Sequence, residues 1–368
     1  MRRLSHPNPP PREAAASAAE VFLEEVLAAA AAGVGETAIL GTMASPEGVS
    51  AKFDLLTIGD CTVDIFTFPE KADIHCQLHG HDKCELCLSA ADKVSSKGFH
   101  LTFGGNAANV AVGASRLGLR TGINTHVGDD LFGKETLENF KKEKVGTALV
   151  EVDKEQATNV NVIISSGGER TILTAHQPRH YLIPSVYAPW VYFSSLAPGH
   201  DYFHAPFVRY VHEYRVKLVF NPGSYQIKEG LAAYGQLLKI TELLILNRGE
   251  AGRLLGLDHA LKTEKELLSR LRDLGPRMVI VTDGPQGAYA FDGYEFTFQT
   301  ATGVKAKERT GAGDAFSCGL VSALILGQPL KEALKWGTLN AEAVTQEVGA
   351  QNGLRTRKEL EPLVRKIK

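Results

Sequence analysis

Two short glycine turns in this 368-residue chain run directly into helix-forming residues, and each carries side chains suited to a polar or anionic ligand. One is Thr310-Gly311-Ala312-Gly313-Asp314-Ala315-Phe316, which opens an apolar run ending at Leu326. The first amides of a helix have no intrahelical acceptor and the helix dipole adds partial positive charge beside them, so such a turn can cradle an anion. Gly311 and Gly313 let the backbone approach a phosphate closely. Asp314, in the first turn, presents a carboxylate to the same spot, where it could accept a proton from an attacking hydroxyl. An Asp in that place is expected to be ionised at neutral pH. The same residue also reads as a helix cap, because Asp is favoured at helix starts for stability alone.

The other turn is Phe103-Gly104-Gly105-Asn106-Ala107-Ala108-Asn109-Val110-Ala111. Asn106 and Asn109 are three apart, so both can lie on one face of the first helical turn and offer amide donors and acceptors to a polyhydroxylated ligand. The alternative is that Asn106 caps the helix and Asn109 is simply polar. Upstream, Asp60 and Asp64 follow the first expected strand, where open α/β sheets bind ligands at the strands' carboxyl ends.

The rest of the chain supplies the scaffold for these turns. From Phe53 onward, short β-rich runs alternate with helix-length amphipathic segments, which predicts βαβ units and a largely parallel sheet. Strands are expected at 53–59, 122–127, 191–196, 216–221, 243–247 and 278–282. Helices are expected at 107–117, 131–143, 202–213, 264–272, 314–326 and 330–347. Two stretches break the rhythm: 62–102, a long interruption after the first strand, and 150–174, which reads as consecutive strands at 159–164 and 170–173. Inserted strands of this kind often cover a ligand site. The first 50 residues, Pro-rich and then Ala-rich, read as an appendage, and Glu20, Glu24 and Glu25 argue against an organelle transit peptide.

Composition narrows the function classes. With 44% hydrophobic residues, 22% charged residues and a formal net charge of −2, the chain is an ordinary globular protein without the basic excess that nucleic-acid binding needs. No apolar stretch reaches the roughly 20 residues of a membrane span. Five cysteines do not make a secreted disulfide framework, so a reducing cytoplasm is expected. No Gly-x-x-x-x-Gly-Lys-Ser/Thr sequence is present, which excludes a P-loop kinase, and Gly59-Asp60-Cys61 after the first strand lacks a dinucleotide fingerprint.

Taken together, the Gly104–Asn109 and Thr310–Phe316 motifs resemble the two signatures of the ribokinase-like (PfkB) carbohydrate kinase family. Asn247-Arg248-Gly249-Glu250 resembles the family's Asn-x-x-Glu motif, Val281-Thr282-Asp283-Gly284 with Gly287 its nucleotide-side turn, and Leu339-Asn340-Ala341 the helix beside the adenine. The resemblance covers about residues 53–354. It implies an α/β fold with a twisted, mainly parallel sheet between helices and a small β-sheet lid, formed within a 51–368 domain from parts of 61–103 and 150–175. It further implies ATP-dependent transfer of the γ-phosphoryl group to a sugar hydroxyl, or to a nucleoside in the nearest alternative. A ligand-binding regulator that kept the fold and lost turnover is a reading of a different class.

Carried onto this chain, the resemblance makes Asp314 the general base and the amides of Gly311, Ala312 and Gly313 the anion hole. Asp64, Gly104, Gly105, Asn106 and Asn109 would hold the acceptor. Asn247, Thr282, Gly284, Gly287 and Asn340 would line the ATP groove, and Glu250 would organise Mg²⁺ through water. A nucleoside base would need an aromatic wall, for which Phe66, Phe68 and Tyr181 are candidates. A homodimer through the lid is also implied.

Two features depart from the family pattern. Glu308-Arg309-Thr310 stands where Asp-Thr-Thr or a close variant is common, which weakens the claim for a monovalent-cation site; Arg309 could reach an acidic group or simply face solvent. Four of the five cysteines fall in 61–87, at the start of and within the interruption after the first strand. There Cys84-x-x-Cys87 has the spacing of a thiolate knuckle, with Cys76 and a histidine such as His79 to complete a structural Zn²⁺ site in the lid. Solvent-facing or redox-active thiols are the other reading.

Overall fold

The computed structural model describes residues 51–77, 83–166, 169–197, 199–257 and 263–367. The N-terminal appendage and His79 lie outside these residues. The strands, in chain order, are β1 (Leu55–Ile58), β2 (Thr62–Pro69), β3 (Asp73–Gln77), β4 (Lys83–Cys87), β5 (Ser96–Gly104), β6 (Thr121–Gly128), β7 (Gly146–Asp153), β8 (Val160–Ser166), β9 (Glu169–Ala175), β10 (Trp190–Phe193), β11 (Lys217–Phe220), β12 (Thr241–Asn247), β13 (Met278–Thr282), β14 (Ala288–Phe291) and β15 (Phe296–Gln299). The helices are α1 (Asn106–Arg116), α2 (Leu131–Lys142), α3 (Asp201–Glu213), α4 (Ser224–Glu229), α5 (Leu231–Lys239), α6 (Arg248–Leu254), α7 (Glu264–Asp273), α8 (Ala312–Ile325), α9 (Leu330–Val344) and α10 (Arg357–Val364).

The main sheet runs β15-β14-β13-β12-β11-β10-β1-β6-β7. From β13 to β7 every neighbouring pair is parallel, while β14 and β15 are added antiparallel at one edge. Every residue of β1, β6 and β10 is buried, as strands covered by helices on both faces require. One face packs against α1, α8 and α9 through residues such as Val110, Leu320 and Leu334. The other face is aromatic, with Phe193, Phe203, Phe207 and Phe220 in mutual contact. Because β1 lies between β10 and β6, the chain changes direction of travel across the sheet there, and the carboxyl end of β1 opens at a topological switch point.

A second sheet, ordered β5-β2-β8-β9, is antiparallel except for the parallel β2–β8 pair. The strands expected at 159–164 and 170–173 are β8 and β9 of this sheet. Residues 150–153, expected to lead into them, instead finish β7 at the edge of the main sheet, where they pair with β6. β3 and β4 form a separate hairpin with Cys76 opposite Cys84. Cys84 and Cys87 both lie on the extended strand β4, not on the turn that a thiolate knuckle uses. Among the described residues, no three His, Cys, Asp or Glu side chains gather to hold a metal ion, and no helix is long and apolar enough to cross a membrane.

Candidate active site

Helix α8 begins after Gly311, whose φ is +79°. That left-handed conformation suits glycine, and a β-carbon there would drive into Ala350. Asp314 is the third helical residue, so it does not cap the helix; its carboxylate turns instead toward α1. Nδ2 of Asn109 donates to Asp314 Oδ2 at 2.8 Å, and Gln351 Nε2 donates to Asn109 Oδ1 at 3.1 Å. The two glycine motifs therefore meet at their helix starts. Of the three amides expected at the anion hole, that of Ala312 already donates to Arg309 O at 3.2 Å, whereas those of Gly311 and Gly313 have no backbone acceptor among the described residues.

Burial pushes the Asp314 carboxyl up to about 6, against the pull of the Asn109 hydrogen bond; the negative charges of Glu250 and Asp64 add to the rise. The ordinary carboxylate expected from sequence is thus a perturbed one, mostly ionised at neutral pH but far more basic than usual. That makes it better matched to a general base's task.

At the other glycine turn, α1 starts after Gly105, which has φ +92° and no side-chain cap above it. Asn106 is the first helical residue and is partly exposed. Asp64, buried on β2, accepts at Oδ1 from Thr62 Oγ1 and from Asn161 Nδ2, both at 2.8 Å. A β-carbon at Gly104 would collide with Asp64 Oδ2, so the glycine leaves that oxygen its space. Burial raises the carboxyls of Asp64 and Asp60, and the Tyr181 hydroxyl donates to Asp60 Oδ1. Of the three candidate aromatics, Phe66 and Tyr181 are buried within the protein, and Phe68 meets His100 edge-on.

Across the sheet, Asn247 and Thr282 are register partners at the carboxyl ends of β12 and β13. Asn247 and Glu250 form a reciprocal capping box on α6: Glu250 N donates to Asn247 Oδ1 at 2.8 Å and Asn247 N donates to Glu250 Oε2 at 2.9 Å. Burial raises the Glu250 carboxyl. Gly284 and Gly287, both at positive φ, shape the turn between β13 and β14. Asn340 departs from expectation. Fully buried, it donates to Ala315 O at 2.8 Å and to Cys318 Sγ at 3.5 Å and accepts from Arg355 N at 3.1 Å, so its amide ties α9 to α8 and both its protons are engaged.

Glu308, read from sequence only as a departure, holds the turn before α8 together. Its carboxylate accepts from Thr310 N and Thr310 Oγ1, both at 2.8 Å, and lies 3.8 Å from Arg170 on β9. Arg309 is exposed. From sequence, Asn161 reads only as a strand residue, His176 as a surface or cover residue and Gln351 carries no reading, because each comes to its contacts here through the fold and sits in no motif.

A doubly wound sheet carrying a second small sheet, with a glycine-opened helix and a buried carboxylate at its switch point, defines a ribokinase-like phosphotransferase. The pfkB family carbohydrate kinase profile matches residues 81–357. The chain belongs to that family. Ribokinase of Bacillus subtilis is 24% identical over 322 residues, covering 84% of this chain and 99% of the relative. Arabidopsis thaliana ribokinase, solved with ribose and ATP, superposes with a TM-score of 0.70 at 20% identity, over 86% of this chain and 99% of that one. Aminoimidazole riboside kinase of Salmonella enterica, solved with its riboside and an ATP analogue, gives 0.66 at 22% identity, over 84% and 99%.

Proposed function

We propose that this protein transfers the γ-phosphoryl group of ATP to a hydroxyl of a sugar, with Asp314 as general base and the opening of α8 as anion hole. The observation that carries the reading is the 2.8 Å hydrogen bond from Asn109 to Asp314, which brings the acceptor loop and the phosphate loop into one site. Asp64 and Asn106 would orient the acceptor. The hydroxyl to be phosphorylated would sit beside Asp314, which removes its proton as the bond to phosphorus forms, late in a loose transition state. The free amides of Gly311 and Gly313 would face the migrating phosphoryl oxygens, where fixed dipoles need no reorganisation as charge moves.

The triphosphate would lie along the ends of β12 and β13, past Asn247, Thr282, Gly284 and Gly287. Glu250 fits water-mediated Mg²⁺: it is a desolvated carboxylate with one oxygen outside its capping box, and its charge is felt at Asp314. Bound there, Mg²⁺ would neutralise phosphate charge. Asn109, engaged on both sides, would position the base and not bind the acceptor. Burial of Phe66 and Tyr181 within the protein favours a sugar over a nucleoside. Exposed Phe99, Leu101 and Leu173 on the second sheet suit a homodimer through the lid, and the free thiols Cys61, Cys87 and Cys318 suit the cytoplasm.

The test is direct: wild-type protein, ATP and Mg²⁺ incubated with D-ribose, D-fructose and adenosine, with the phosphorylated products identified. A sugar phosphate supports the reading, a nucleotide product moves it to nucleosides, and tight binding without any product supports the regulator.

A further inference from the structure

His176, just beyond β9, lies between two carboxylates of the β1–β2 segment. Asn161 gives its amide nitrogen to Asp64 Oδ1 at 2.8 Å, which turns its oxygen toward His176 Nε2 at 3.3 Å. An amide oxygen only accepts, so His176 Nε2 must carry a proton. On the other side of the ring, Nδ1 faces Asp60 Oδ2 at 3.7 Å, and both atoms are buried without another hydrogen-bond partner. This contact is longer than a hydrogen bond, but it seats the ring between the Asp60 carboxylate and the Asn161 amide. Tyr181 fixes the far oxygen of Asp60.

We infer that His176 is a positioning residue for the acceptor. The series Tyr181, Asp60, His176, Asn161, Asp64 fixes the Asn161 amide so that both donors on Asp64, Asn161 and Thr62, converge on Oδ1. Oδ2 is thereby left toward the space that Gly104 keeps clear. Without the ring, Asn161 can turn its oxygen toward Asp64 and rotate the carboxylate away from the acceptor. The inference rests on Asp64 being an acceptor ligand, but the side-chain series, whose Asp60–His176 link is a 3.7 Å ion-pair contact, belongs to the ligand-free protein.

Two variants and one spectrum test it. With D-ribose, D-fructose and adenosine as acceptors, His176→Ala is expected to raise the acceptor KM about tenfold, the scale of one hydrogen bond to a charged group, with kcat and the KM for ATP held within about twofold. His176→Gln, whose amide nitrogen has two protons to offer, should recover most of the loss. An unchanged acceptor KM in His176→Ala, a parallel rise in the KM for ATP, or no recovery in His176→Gln would overturn the inference while leaving the kinase reading intact. A wild-type protein that phosphorylates none of the three fails the kinase reading and takes the positioning role with it. Imidazole ¹⁵N spectra of the ligand-free protein should show a protonated Nε2 at His176, and a bare Nε2 would refute the series whatever the enzyme phosphorylates.

Discussion

Asn109 Nδ2 stands 2.8 Å from Asp314 Oδ2 although the two residues are 205 apart in the chain. The bond makes the proton affinity of Asp314 depend on the Gly104–Asn109 turn. Gln351 holds the other end of the same amide and so fixes which way it faces. Removing the donor with Asn109→Ala should raise the Asp314 carboxyl further and carry the acid limb of the kcat/KM profile to higher pH, by up to about one unit. A pH–rate series on the variant and the wild type measures the difference; superimposable limbs would mean that Asn109 does not tune the base.

The wild-type profile itself is a prediction. With Asp314 near 6, kcat/KM should be flat above that pH and fall about tenfold per unit below it, as the base becomes protonated in the free enzyme. Activity that persists undiminished at pH 4.5 would contradict the prediction, since the base would by then be largely protonated.

The same raised carboxyl has a cost for stability. A folded-state value above the ordinary 3.8 of an aspartate carboxyl means that Asp314 contributes most below that pH, and that the contribution is lost as pH rises through about 6. The window corresponds to roughly 3 kcal/mol, as an order of magnitude. Asp314→Asn should therefore resist denaturant better than wild type at pH 8, with the gap shrinking at pH 4. Urea melts at the two pH values read this directly, and a variant less stable at pH 8 would contradict it.

Gly311 and Gly313 are expected to separate fold from function. At Gly311, positive φ and the clash with Ala350 make Gly311→Ala destabilising by about 1–3 kcal/mol. Gly313 is helical with nothing near a β-carbon, so Gly313→Ala should leave stability equal or higher by up to about 1 kcal/mol. It should nonetheless lower turnover, because the methyl group crowds an amide assigned to the phosphoryl oxygens. Thermal melts set beside turnover tell the two apart; full turnover in Gly313→Ala would remove that amide from the anion hole.

Asn340→Ala should act on the fold and not on the nucleotide. Loss of its bonds to Ala315 O and Arg355 N leaves buried groups unpaired, at about 1–3 kcal/mol. The KM for ATP should stay at the wild-type value, and a selective rise without loss of stability would return Asn340 to the nucleotide groove.

The parallel sheet was legible because its strands are apolar runs separated by amphipathic helices, and β1, β6 and β10 to β13 fall where that rhythm places them. The β14–β15 hairpin and the short helices α4, α5, α6 and α10 were not, since too few residues carry a periodicity. The glycine turns marked Asp314 and Asn109, but spacing could not reveal that Asn109 binds Asp314, or that Asn340 is turned inward. Asn161, His176 and Gln351 gave no signal, because a single polar residue in a strand or loop has no pattern until the fold surrounds it. The cysteine spacing could not show that Cys84 and Cys87 share one extended strand, and His79 lies outside the described residues.

The central claim is tested most directly by phosphoryl transfer in Asp314→Asn, alongside ATP binding by calorimetry. The account predicts wild-type affinity for ATP within about threefold and turnover reduced at least about a hundredfold, the scale of a lost general base. Undiminished transfer by that variant would contradict it.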